Sequence, residues 1–220
     1  MTESSAATAP ASARFQPSAA RSDQRRRAIL AVAGDAFRQD GYAATSMSSI
    51  AARLGGSKGT LYNYFRSKEE LFAAFMEDIC SEDVLPLFAR LPQAGEDLHD
   101  GLIEFGCAFF EFITSEPRTS IYRVVIAEAG RFPELGRIFY ESGPQIGELR
   151  LGDYFEDLMA RGVICQTDRT LIARHFKELC LSGMHQMRLM GVVPELDDAA
   201  IRKTVAAGVE AFLRAYAPEA

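Results

Sequence analysis

The chain of 220 residues contains no tryptophan and only three histidines, His99, His175 and His185. His175 and His185 are ten residues apart on one expected helix, too far for the i,i+4 spacing with which two imidazoles share a metal. None of the three has a carboxylate, serine or cysteine partner in a recognisable catalytic arrangement. The expectation is therefore no metal site, no catalytic site and no cofactor. The four cysteines, Cys80, Cys107, Cys165 and Cys180, form no C-x-x-C pair, which argues against a zinc site or a disulfide framework. They sit within apolar helical patterns, where a free cysteine behaves as a small hydrophobe; a redox sensor would need exposure and a lowered pKa. No apolar run approaches the roughly 20 residues that cross a bilayer, so no membrane partner is expected. The first twenty residues are rich in Ala, Ser, Thr and Pro, with neither a basic start nor an apolar stretch. They read as a disordered tail, placed at 1–21, and not as a signal peptide, which makes the cytoplasm the expected location. Nothing alternates as a strand would.

What is present is a run of helical patterns. Residues 22–40 read as a first helix capped by Ser22, with Ile29, Ala33, Ala36 and Phe37 at three- and four-residue spacing and Gly41 ending it. Thr45 caps a short second helix carrying Met47, Ile50, Ala51 and Leu54, and Gly55-Gly56 breaks it. Ser57 caps a third, 58–65. Ser67 opens a long helix to about Arg90, bent at Pro86. Further helices are expected over 95–116, 117–129, 133–141, 144–161, 168–190 and 195–216. The fold class is all-α: a three-helix helix-turn-helix head over 22–66, then a helical bundle over 67–220.

Charge divides the same way. The net charge is −6, yet residues 1–66 hold nine Lys/Arg against four Asp/Glu, and residues 67–220 hold fifteen against twenty-six. A basic head on an acidic body directs a polyanion to one end.

Two short helices joined by a tight glycine turn behind a longer one is the helix-turn-helix arrangement, whose second helix enters the major groove N-terminus first. In TSMSSIAARLGGSKGTLYNYFRSK (45–68), Ser57, Lys58, Gly59 and Thr60 would lie nearest the bases. Lys58 can donate to guanine O6 and N7, Thr60 can meet either base edge, and Gly59 lets backbone come close. Tyr62 and Tyr64 can reach phosphate oxygens. The N-terminal amides at Thr45 and Ser46 can do the same. The string GGSKGT lacks the spacing and the preceding strand of a phosphate-binding loop.

The segment from about Arg25 to Leu71 resembles the DNA-binding domain of the tetracycline-repressor (TetR) family. Ser57, Gly59, Thr60, Leu61, Tyr62, Tyr64, Phe65, Lys68 and Leu71 match its motif, and Gly56 departs from it where an apolar turn residue is usual. The resemblance implies base or phosphate contact for Lys58, Thr60 and Tyr62, and phosphate contact for Thr45, Tyr64 and Lys68. Ile121 to Pro144 is similar to the regulatory domains of the AefR-like subgroup. The resemblance further implies a homodimer on a near-palindromic, double-stranded operator, with repression relieved by a small-molecule effector. Its dimer interface would be a four-helix pairing of the last two helices (Phe176, Leu179, Gly183, Met187; Ile201, Val205, Val209, Phe212, Tyr216), with Gly183 and Gly208 allowing close approach.

An effector pocket, largely apolar, is implied among the helices after the head. Helix periodicity nominates Met76, Cys80, Phe105, Phe109, Tyr122 and Ile126. It also nominates Phe139, Tyr154, Met159, Phe176, Cys180 and Met184, with Arg123 and Glu128 as polar anchors if they face inward. A helical enzyme with a lipid or cofactor pocket and a protein-binding adaptor remain the alternatives. A steep salt dependence of binding to a DNA pool separates a regulator from both.

Overall fold

The computed structural model describes the backbone of residues 19–193 and 197–218, and their side chains except 19–20 and 80–85. Among the described residues every regular element is a helix. Residues 1–18 of the expected tail lie outside this range.

Helix α1 (Ala19–Asp40) starts earlier than expected, so Ser22 lies within the helix and does not cap it. Ala19, Ala20 and Arg21 are strong helix formers and extend the first turn. The helix stops at Gly41, whose φ of +81° lets its amide turn back to Phe37 O at 3.2 Å. Tyr42 then folds onto Phe37, with ring centroids 5.7 Å apart. The cap of α2 (Met47–Arg53) is Ser46, not Thr45: Ser46 and Ser49 form a reciprocal capping box. In α3 (Lys58–Tyr62) Ser57 Oγ accepts the Thr60 amide at 3.2 Å, as expected. This helix ends three residues before the expected Phe65, and a turn carries Phe65 down into the core.

Helix α4 (Lys68–Phe88) is opened by Ser67, whose hydroxyl accepts the Glu70 amide, and contains Pro86. Helix α5 (Leu98–Thr114) is capped by Asp97, not started at Gly95. Then come α6 (Glu116–Glu128), α7 (Pro133–Ser142) and α8 (Pro144–Ala160), each with proline in its first turn. The single helix expected over 168–190 is two. Ser182 (φ 42°) and Gly183 (φ 77°) both adopt the left-handed conformation and separate α9 (Arg169–Leu181) from α10 (Met184–Leu189). Helix α11 (Asp198–Ala215) closes the chain, capped by Asp197; the expected start at Glu195 lies outside the described residues.

Two hydrophobic clusters hold these helices. One joins α5, α8, α9 and α11 through Phe105, Phe155, Phe176 and Phe212. Five of the nine residues expected to face a second chain are spent inside this one: Phe176, Ile201, Val205, Val209 and Phe212 are buried, whereas Leu179 and Tyr216 are half-buried and Gly183 and Met187 are exposed. Gly208 does allow close approach, but to α9 of its own chain, since a Cβ there would stand 2.5 Å from Leu179 O. A Cβ on Gly183 would meet nothing within 4 Å, so its place is set by its backbone angle and not by contact.

The second cluster joins the head to the body. Ile29, Phe37, Ile50 and Leu61 pack with Phe72 and Phe75 of α4, and the same cluster continues into Ile121, Val125, Leu135 and Phe139. The two short helices behind α1 leave one side of Phe37 open, and α4 supplies that wall: Phe72 meets it edge-on at 5.3 Å.

Candidate nucleic-acid interface and internal cavity

Exposed Ser57, Lys58 and Gly59 lead α3, with Thr60 half-buried one step in. Their local structure is self-contained: Ser57 Oγ and Thr60 Oγ1 lie 2.9 Å apart, and the Lys58 ammonium sits 5.6 Å from the Tyr62 ring. Tyr62 is 42% exposed, whereas Tyr64 is half-buried against the head core. Ser46 is exposed, with its hydroxyl engaged by Ser49. Where the family motif usually has an apolar turn residue, Gly56 leaves room for Arg25, whose guanidinium would lie 3.1 Å from a Cβ.

Two expected phosphate ligands are engaged within the head. Thr45 is 1% exposed, and its hydroxyl donates to Gly41 O (2.7 Å) and Ala36 O (3.2 Å). Its amide also donates to Gly41 O, leaving no donor for DNA. The Lys68 ammonium donates to Tyr42 O (2.7 Å) and Thr45 O (3.0 Å) and lies 4.1 Å from the Tyr42 ring centroid. Burial lowers its pKa, opposed by the charges of Glu69 and Glu128. Two of its three donors are thus spent tying α4 to the turn before α2.

Between α4 and the helices α5 to α10 lies a cavity of about 410 Å³. Of the nominated residues, Met76, Phe109, Tyr122, Ile126 and Phe139 border it. Phe105, Tyr154, Met159, Phe176, Cys180 and Met184 do not; they sit in or against the α5–α8–α9–α11 core. The Cys80 side chain lies outside the described residues. Ile126 is 63% exposed as well as lining, which puts the mouth of the cavity beside it. Neither expected anchor faces inward. Arg123 donates to Leu189 O and Arg188 O at 2.9 Å each, and Glu128 Oε1 accepts the Ala43 amide at 3.0 Å.

The polar wall was missed. It comprises Arg118, Glu148, Lys177, Glu178, His185 and Gln186. Arg118 was within reach of sequence reasoning, since 118, 121–122 and 125–126 share one helical face. Its guanidinium lies 3.6 Å from the Phe112 ring centroid. Glu148 is 8% exposed and paired with Arg174 (3.1 Å), Tyr140 (3.0 Å) and Lys177 (3.4 Å). Burial raises its pKa, but hydrogen bonds from Arg174 and Tyr140 and the charges of Lys177 and Arg174 outweigh this and hold the carboxyl below its ordinary value. Burial lowers the pKa of His185, whose ring meets Tyr122 edge-on at 5.0 Å.

Burial pushes the Cys180 thiol up to about 12, and Cys107 is likewise raised by burial. Cys165 lies in the loop after α8, not in a helix, with its amide on Tyr216 O. Exposed Asp97, His99 and Asp100 lie within 4.8 Å of one another, with Asp97 engaged as the cap of α5. Among the described residues no helix is long and apolar enough to cross a membrane.

A helix-turn-helix head sharing its core with an all-α body that encloses a cavity defines a transcriptional regulator. Residues 100–218 match the pattern described as the AefR-like transcriptional repressor C-terminal domain, and residues 29–75 that of the tetR family of bacterial regulatory proteins. The chain belongs to the TetR family, whose members are DNA-binding regulators and not enzymes. A TetR-family regulator structure from Mesorhizobium loti is 30% identical, with a TM-score of 0.79, over 90% of this chain and 98% of that one. The flavonoid-responsive regulator FrrA is 32% identical, with a TM-score of 0.78, over 90% of this chain and all (100%) of that one. The regulator YhgD of Bacillus subtilis is 40% identical over 58 residues, 26% of this chain and 30% of YhgD. The transcriptional activator FasR of Mycolicibacterium smegmatis is 44% identical over 55 residues, 25% of each chain. The chain thus matches less than a third of either curated relative.

Proposed function

We propose that this regulator binds a near-palindromic operator as a homodimer, represses from it, and is released when a small molecule fills the cavity. The observation that carries the reading is one helix serving both ends. Leu71, Phe72 and Phe75 of α4 belong to the head cluster, while Met76, Ile79, Leu87 and Phe88 of the same helix border the cavity. A ligand that favours one tilt of α4 therefore biases the head, by no more than its differential affinity for the two states.

In this reading Ser57, Lys58, Gly59, Thr60 and Tyr62 meet the major groove, Ser46 and Tyr64 meet the backbone, and residues 22–66 and 67–220 are the reading and sensing domains. Two-fold symmetry would set the reading helices about 34–36 Å apart. The intended interface is the outer faces of α9 and α11, where Leu171 is 44% exposed, since their inner faces are already buried. FrrA is named as flavonoid-responsive, which fits an aromatic-walled cavity holding an aromatic effector. FasR is named an activator, but the likeness is confined to about a quarter of each chain. Activation is thus the second reading, with the same DNA face and cavity. Acting on DNA would place the protein in the cytoplasm.

Selection of bound sites from a genomic DNA pool, followed by anisotropy titrations on the enriched sequence, tests the proposal. A two-fold symmetric site with a steep salt dependence is expected. Binding without sequence enrichment, or operator affinity unmoved by a saturating cavity ligand, refutes it.

A further inference from the structure

The cavity is bordered by one ammonium, Lys177, set between two carboxylates, Glu148 and Glu178, with Arg118 and His185 elsewhere on its wall. Glu148 and Lys177 both border the cavity, whereas Arg174 and Tyr140, the other partners of Glu148, do not. Those two donate to Oε2, at 3.1 and 3.0 Å. Among the described residues Oε1 accepts from Lys177 Nζ, at a long 3.4 Å, and that ammonium is shared with Glu178 at the same distance. A carboxylate oxygen accepts two hydrogen bonds and an ammonium donates three, so this pair keeps an acceptor site and a donor beside the cavity. The same cavity is lined by the rings of Phe88, Phe109, Phe112, Tyr122 and Phe139.

We propose that the effector is a hydroxylated aromatic compound whose hydroxyl donates to Glu148 Oε1 and accepts from Lys177 Nζ, with its rings among Phe109, Phe112 and Phe139. This rests on the cavity being the effector site. A hydroxyl is the smallest group that does both. A ligand carboxylate at this point would face Glu148, an ammonium would face Lys177, and a hydrocarbon would desolvate the pair without replacing its lost water. A phenol titrates at about pH 10 and is neutral at pH 7, so it enters an apolar cavity without carrying charge.

Isothermal titration of the full-length protein at pH 7 with biphenyl-4-ol, biphenyl and biphenyl-4-carboxylate tests the assignment. The phenol is expected to bind about tenfold or more tighter than the other two, the value of one charge-assisted hydrogen bond. In Lys177→Met, which keeps an unbranched stem, the preference over biphenyl should shrink to about twofold; in Lys177→Arg it should persist. Lys177 is partly exposed, so both variants should fold, and helical circular dichroism checks this. Equal affinity for the three probes, or an undiminished preference over biphenyl in Lys177→Met, overturns the anchor while leaving the cavity reading intact. Failure of all three to bind the folded protein overturns the cavity as an aromatic effector site too, whereas sequence-selective DNA binding in the same preparation isolates the regulator reading from either failure.

Discussion

Glu128, the last residue of α6, accepts the backbone amide of Ala43 at 3.0 Å and so ties a helix that lines the cavity to the turn that starts α2. Ile126 and Tyr122 of that helix, two and six residues earlier, border the cavity. The bond is solvent-accessible, so its loss should cost about 0.5–1.5 kcal/mol at most. Glu128→Ala should therefore leave the fold and effector affinity nearly intact. The factor by which a saturating effector changes operator affinity should fall by up to about tenfold. Anisotropy titrations with and without effector measure this factor; an unchanged factor would remove Glu128 from the coupling.

Thr45 and Lys58 should separate stability from recognition. Thr45→Val removes a buried hydroxyl from the carbonyls of Ala36 and Gly41 and should destabilise the head by about 1–3 kcal/mol. Lys68→Ala should act in the same manner, since its ammonium serves Tyr42 O and Thr45 O. Lys58→Ala should leave the melting curve alone, weaken operator binding and reduce the salt slope by about one. Melting curves read beside salt titrations decide: a Thr45→Val protein that melts like the parent but loses DNA binding would return Thr45 to the interface.

The head was largely legible because its signals are local. Ser57 capping Thr60, Gly41 ending α1 and Tyr42 packing back all depend on residues within a few positions. Thr45 was misassigned because the run Thr45-Ser46-Met47-Ser48-Ser49 offers two overlapping caps in register, Thr45 with Ser48 and Ser46 with Ser49. The Thr45 hydroxyl is taken by Gly41 O and Ala36 O, which leaves Ser46 to cap α2. The cavity was legible only in part. Periodicity finds the apolar side of α9, but Phe176 on that side faces Phe155 and Phe212, while Lys177, next in sequence, borders the cavity. Which apolar face meets a void depends on how α8, α9 and α11 pack, which no spacing encodes. Ser182-Gly183 likewise sits inside a continuous helical pattern, so the break there emerges only with the backbone angles.

Two close approaches should be intolerant of a single methyl. A Cβ on Gly34 would lie 2.2 Å from Phe75 Cε2, and one on Gly208 would lie 2.5 Å from Leu179 O. Phe75 is held in the head cluster and Leu179 O is backbone, so neither can step aside freely. Gly34→Ala and Gly208→Ala should each cost about 1–3 kcal/mol by overpacking. Gly59→Ala, where the nearest atom to a Cβ is Ser57 Oγ at 3.8 Å, should melt like the parent and alter only DNA binding. Chemical denaturation of the three variants provides the comparison, and a destabilised Gly59→Ala protein would contradict the open placement of α3.

Acid should weaken the body in two stages. Burial lowers the His185 pKa below its ordinary 6.5, so the unfolded chain takes up a proton first as pH falls. Its contribution is complete above pH 6.5 and declines as pH drops from there through the folded-state value. Glu148, held below its ordinary 4.5 because hydrogen bonds and neighbouring cations outweigh its burial, contributes in the same sense at lower pH. Its stabilisation is present above 4.5 and is lost as the carboxyl protonates in the folded state, when the pairs with Arg174 and Lys177 lose their counter-charge. His185→Phe should remove the upper decline and Glu148→Gln the lower one, each leaving the other in place. Melting temperatures recorded from pH 7 down to about pH 2.5 follow both. A parent curve flat between pH 6.5 and 5.5 would contradict the buried, neutral imidazole, and a Glu148→Gln curve parallel to the parent at the acid end would contradict the ion-paired carboxylate.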